Sequence, residues 1–145
     1  MTVRLSPADP AAKPFVLVVA AALYDRCGRV LIAQRPPGKH MAGHWEFPGG
    51  KVAPEESERE ALTRELREEL GIEVGAARPL MRATYAYADR DVELSLWIIE
   101  RFAGLPQSLD GQALKWVAPA SLRGEDILEA DRPFITALEG LAPPA

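Results

Sequence analysis

The segment from Ser57 to Gly71 constrains this chain more than any other. Ser57 is followed three residues later by Glu60, the pattern of a reciprocal N-terminal cap, and Gly71 supplies a stop after Leu70. The spacing predicts a helix over about residues 57 to 70. At 100° per residue, Leu62, Leu66 and Leu70 form an apolar stripe about 80° wide, so this helix must lie on a core. Its acids are oddly placed for a solvated helix, which would carry them opposite the leucines. Glu69 projects only about 20° from the Leu62 edge of the stripe, Glu65 about 60° and Glu68 about 120°. Two such carboxylates near 6 Å repel by roughly 2–3 kcal/mol at an effective dielectric of about 20. A compensating charge is required. One candidate is Mg²⁺, a hard cation matched to a partly open set of carboxylates. The other is a lacework of ion pairs with Arg59, Arg64 and Arg67 at helical spacing.

The acidity is confined to this stretch. Residues 55 to 73 hold eight Glu and three Arg, a local charge of −5 in a chain whose total is −4. No basic stripe is present, which disfavours duplex nucleic acid and membrane surfaces as partners. The longest apolar run, Phe15 to Leu23, falls short of the roughly 20 residues a spanning helix needs. Arg4 and Lys13 ahead of it imitate a secretion leader, but Asp9, Pro7, Pro10 and Pro14 spoil that pattern, and the run reads as a buried strand. Cys27 is the single cysteine, so no intramolecular disulfide is available and a reducing, cytoplasmic setting suits the chain.

With 145 residues the chain has the length of one domain. A loose tail is expected over residues 1–14, the domain over 15–140 and a short tail over 141–145. Strands are expected from Phe15 to Tyr24 and from Arg29 to Gln34, joined by a turn through Asp25 and Gly28. Residues 35 to 48 read as a loop leading to Gly49 and Gly50. After the acidic helix, Val74 to Ala88 and Val92 to Phe102 read as a hairpin turned by Asp89, Arg90 and Asp91. In its second strand Val92, Leu94, Leu96 and Ile98 face one way and Glu93, Ser95, Trp97 and Ile99 the other. Ala113 to Val117 is a further strand. Asp131 is placed to cap a final helix through Leu138, with Pro133 in its first turn. No long apolar element is left unpaired, so a monomer is expected.

Reading Gly50, five residues, Glu56, seven residues, Arg64-Glu65-Leu66, one residue, Glu68-Glu69, one residue, Gly71-Ile72, the segment resembles the Nudix hydrolase signature at every specified position. The resemblance implies an α/β (α+β) fold, a mixed β-sheet sandwiched between α-helices, and hydrolysis of a diphosphate linked to another moiety. It implies divalent metal, Mg²⁺ with Mn²⁺ as a substitute, bound by Glu65, Glu68 and Glu69 with the carbonyl of Gly49. Glu56 and Arg64 would orient those ligands.

Outside the signature, Gln34-Arg35, His40-Met41-Ala42, Trp45 through Lys51, Asp89-Arg90, Asp110-Gly111-Gln112 and Ala130 through Pro133 resemble the MutT branch, which acts on nucleoside triphosphates. That likeness implies release of the monophosphate and pyrophosphate from nucleotides such as 8-oxo-dGTP, a sanitation of the nucleotide pool in the service of DNA repair. A different diphosphate-linked substrate, a cytosine nucleotide, and a catalytically silent ligand-binding module are the competing expectations. Arg35 and His40 would hold phosphates, or are simply solvated. Phe47 would stack on a base, or is core. Asp89 and Arg90 would close over the nucleotide, or merely make a turn. Asp110 resembles a late-loop acid that assists metal or water, in a position where this branch often has Glu. The general base is left between Glu65, Glu68 and Asp110. Asp131 stands where the branch commonly has Asn. It either reads the base or only caps the last helix.

Overall fold

The structure, a computed structural model, describes residues 14–144. The expected tail at residues 1–14 therefore lies almost wholly outside the described residues, as does Ala145. Among the described residues, nine strands and two α-helices occur in the order β1 (Phe15–Leu23), β2 (Val30–Gln34), β3 (Trp45–Glu46), β4 (Gly49–Lys51), α1 (Glu58–Leu70), β5 (Glu73–Val74), β6 (Ala77–Ala86), β7 (Asp91–Ile99), β8 (Phe102–Ala103), β9 (Leu114–Val117) and α2 (Arg132–Glu139). Short 3₁₀ turns at Pro119–Gly124 and Glu129–Asp131 precede α2.

The main sheet runs β4-β1-β7-β6. Its centre is β1, which pairs in parallel with β7 over nine residues and antiparallel with β4. A second sheet runs β3-β2-β9, and β5 pairs with β8. Because side chains alternate along a strand, β1 feeds two cores. Ala20 and Ala22 join Val92, Leu94, Leu96 and Ile98 of β7 under Phe134, Ile135 and Leu138 of α2. Val19, Ala21 and Leu23 point the other way, onto Leu62, Leu66 and Leu70 of α1. The main sheet is thus covered by a helix on each side, and the two expected faces of β7 are the two cores. The polar members of its second face are buried as well. Ser95 and Trp97 lie beside Glu58, which accepts from the Trp97 indole at 3.2 Å and pairs with Arg82.

Helix α1 has the predicted ends. The Ser57 hydroxyl accepts from the Glu60 N–H at 3.0 Å, the Glu60 carboxylate accepts from the Ser57 N–H at 2.9 Å, and the Gly71 N–H donates to the Arg67 carbonyl. Other elements depart from expectation. The stretch read as one strand from Val74 to Ala88 is interrupted at Gly75, whose N–H donates to the Arg101 carbonyl. Glu73–Val74 therefore pairs with Phe102–Ala103 as a separate ribbon. The loop expected over residues 35 to 48 contains β3, held on β2 through Ala33 and Gln34. Leu141, expected in a loose tail, packs on the α2 core. Asp131 adopts helical backbone angles, and its side chain makes no capping bond; its hydrogen bond goes elsewhere, as shown below. No helix among the described residues is long and apolar enough to cross a membrane.

Candidate active site

A cavity of about 640 Å³ opens between the β1 end of the main sheet, the β2–β3 loop, α1 and the turn before α2. Its floor is built by the glycine pair. An ideal Cβ on Gly49, whose φ is +154°, would sit 1.9 Å from the Val19 carbonyl oxygen of β1, so only glycine lets β4 lie this close. A Cβ on Gly50 would meet the Glu65 carboxyl carbon at 2.4 Å. Glycine therefore leaves room for the acid beside the backbone.

Glu65 and Glu69 both line this cavity. Glu69 accepts from the Gly49 N–H at 3.3 Å, yet its carboxyl is pushed up to about 8 by burial, then by the charges of Glu65 and Glu46. Burial also raises Glu65, against the pull of Arg64. Glu68 projects outward, 60% exposed, and does not line the cavity. The guanidinium of Arg64 ties the acids together, donating to Glu56 at 2.7 Å, to Glu65 at 2.7 Å, to Glu68 at 3.4 Å and to the Lys51 carbonyl at 3.0 Å. Those hydrogen bonds hold Glu56 down at about 2 and fix Arg64 as a permanent cation. Of the three arginines offered as surface partners, Arg67 pairs with Glu73 and Arg59 binds the Val74 and Gly75 carbonyls. Neither compensates Glu69. Among the described residues no three acids or histidines are drawn together as a finished metal cage. The donor set nevertheless fits a hard divalent cation: carboxylate oxygens, a backbone cleared of Cβ atoms, and an acid whose charge is uncompensated.

Asp131 lines the same cavity and is 4% exposed. Its carboxylate accepts from the Phe47 N–H at 3.0 Å. Burial, then the nearby Glu46 charge, pushes it up to about 7. The Phe47 ring is 3% exposed and meets Phe134 edge-on, with centroids 6.1 Å apart. It packs in the core and also lines the cavity, and the backbone of Phe47 fixes Asp131. Arg35 lines the cavity while donating to the His40 carbonyl at 2.6 Å and to Glu46 at 3.0 and 3.1 Å. His40, Arg90 and Asp110 also line it. Asp89 is 77% exposed in the β6–β7 turn, 3.9 Å from Arg90, and does not. Asp110 is set in place by Gln112, which accepts from its N–H at 2.9 Å and donates to the Glu69 carbonyl at 3.3 Å.

Sequence reasoning passed over Glu46, which joins Arg35 to the cavity, and Tyr87, on the cavity wall beside His40. The alternation of Tyr85 and Tyr87 ahead of Asp89-Arg90 was the available signal for the second.

A model of the Nudix domain matches residues 18–137, most of the chain and every cavity element just described. The chain belongs to the Nudix family. It is similar to the CTP pyrophosphohydrolase of Escherichia coli K12, at 40% identity over 87% of this chain and 93% of that protein. It is also 42% identical to the putative 8-oxo-dGTP diphosphatase 2 of Mycobacterium tuberculosis, over 84% of this chain and 86% of that one. The solution structure of the Escherichia coli ORF135 protein superposes with a TM-score of 0.80 at 40% identity, covering 89% of this chain and 91% of that one. As a Nudix hydrolase the protein is an enzyme, and the signature segment runs from Gly50 through α1 to Ile72.

Proposed function

We propose that this Nudix hydrolase is a Mg²⁺-dependent pyrophosphohydrolase of (deoxy)nucleoside triphosphates, oxidised ones such as 8-oxo-dGTP among them, releasing the monophosphate and pyrophosphate. The observation that carries the reading is a single cavity that holds both a carboxylate pair, of which Glu69 has no cationic partner among the described residues, and a buried acid fixed by backbone. The first suits a metal with a phosphate chain, the second suits a base.

Glu65 and Glu69, with the Gly49 carbonyl, would hold the metal, joined by Glu68 from outside the cavity lining, and Mn²⁺ would fit the same oxygen donors. Bound there, the ion neutralises phosphate charge, polarises the phosphoryl oxygen and lowers the pKa of the attacking water. Arg64, clamped by Glu56, orients Glu65. Arg35 and Arg90 supply positive charge and His40 a donor for the phosphates, with Asp89 at the rim. Glu65, Glu68 or Asp110 takes the proton from water. Positioning and charge complementarity carry the rate.

Asp131 supports two base preferences. With its carboxyl near 7 it is protonated in part at neutral pH, when it can donate to a guanine O6. Ionised, it only accepts, which suits the amino group of cytosine. The cytosine reading is favoured by that carboxylate and by the likeness to a protein named CTP pyrophosphohydrolase. Pyrophosphate release from a panel of normal and oxidised nucleotides, with and without Mg²⁺, tests the proposal. Release from a triphosphate only in the presence of Mg²⁺ is expected; release from no triphosphate would reject it.

A further inference from the structure

We propose that Tyr87 is a positioning residue that sets the mouth of the cavity, bracing His40 and Arg90 so that both face one nucleotide; this rests on the function proposed above. The two side chains arrive from separate parts of the fold, His40 from the β2–β3 loop and Arg90 from the β6–β7 turn. Tyr87 touches both. Its ring meets the His40 imidazole edge-on with centroids 5.7 Å apart, and the Arg90 guanidinium carbon lies 5.6 Å from the ring centre. Tyr85 backs the ring at 4.8 Å, and the Tyr87 N–H donates to the Arg90 carbonyl at 2.8 Å, closing the turn. All three residues line the cavity.

The loop needs this support. Met41, next to His40, has a φ of 59° without being glycine, and such a conformation persists only where its surroundings impose it. From within the loop, Arg35 binds the His40 carbonyl. From outside, the Tyr87 ring contacts the His40 side chain. No hydrogen bond engages the Tyr87 hydroxyl among the described residues, so an aromatic ring is the required part.

The experiment compares Tyr87→Leu and Tyr87→Phe by steady-state kinetics on the triphosphate the wild type hydrolyses best, and by NMR of the two histidines. Loss of an edge-on ring pair and a cation–π contact predicts that Tyr87→Leu raises KM about tenfold with kcat within about twofold. The His40 imidazole resonances move while those of His44 stay. Tyr87→Phe restores the wild-type KM and His40 shifts. An unchanged KM in Tyr87→Leu overturns the proposal, as does a joint fall of kcat, KM and Tm with both histidines displaced. A wild type that hydrolyses no nucleotide overturns the underlying function and this proposal together; an active wild type indifferent to Tyr87→Leu overturns this one alone.

Discussion

At Glu69 and Asp131 the fold holds carboxyls in environments that favour their neutral forms. Both are raised by burial first, Glu69 to about 8 and Asp131 to about 7. An acid raised in the folded state stabilises it fully below its unfolded pKa, and that contribution is lost as pH climbs through the folded value. Glu69→Gln is therefore expected to leave the metal-free protein as stable as wild type near pH 4 and more stable above pH 8, by thermal melting in chelator. The same variant should lower kcat at least about a thousandfold, roughly 4 kcal/mol; near-normal turnover would remove Glu69 from the metal site. Asp131→Asn keeps an acceptor for the Phe47 N–H. It should remove stability loss between about pH 4 and 7, and change the kcat/KM ratio for 8-oxo-dGTP against cytosine nucleotides tenfold or more, about 1.4 kcal/mol. A flattened stability profile with an unchanged ratio would make Asp131 a purely structural group.

At the scale of elements, the glycine pair and α1 behave as one device. Gly50→Ala places a methyl against the Glu65 carboxylate, a side chain that can give way. The expected outcome is a folded protein, by circular dichroism, with turnover reduced at least a hundredfold. Gly49→Ala drives a methyl into the backbone of β1 and should fail to fold. Ser57→Ala removes one half of the reciprocal cap and should cost about 1 kcal/mol in denaturant titration. Helix α1 was legible in the sequence because its cap, stripe and stop are local. The break at Gly75 was not, since Arg101, far along the chain, decides it. Asp131 shows the same limit. Its local rank as a capping residue lost to a hydrogen bond from Phe47, 84 positions away. Glu46 and Tyr87 were missed for a related reason: each acts through a partner that only the folded chain brings near.

For the whole molecule, the cavity lies where the two cores meet along β1, so mutations in either core should be separable by their effect on substrate. Phe134→Ala empties space beneath Phe47 and should cost about 3–5 kcal/mol, with KM raised because Phe47 holds Asp131. Leu66→Ala should cost about 2–5 kcal/mol and act mainly on metal dependence. Denaturant midpoints and KM measured on both variants check the contrast. The parallel pairing that closes the main sheet joins residue 15 with 91 and residue 23 with 99, spanning roughly half the chain. Long-range pairings of this kind close loops before contacts repay them, so they come late in folding. During synthesis at about 5–20 residues per second, β1, the glycine pair and the acidic helix all leave the ribosome before the strand that locks them together. A chain ended at residue 90 thus carries the whole signature without an enzyme, its apolar β1 open to chaperones, and competence waits for β7 and for the Asp110 and Asp131 segments that follow it.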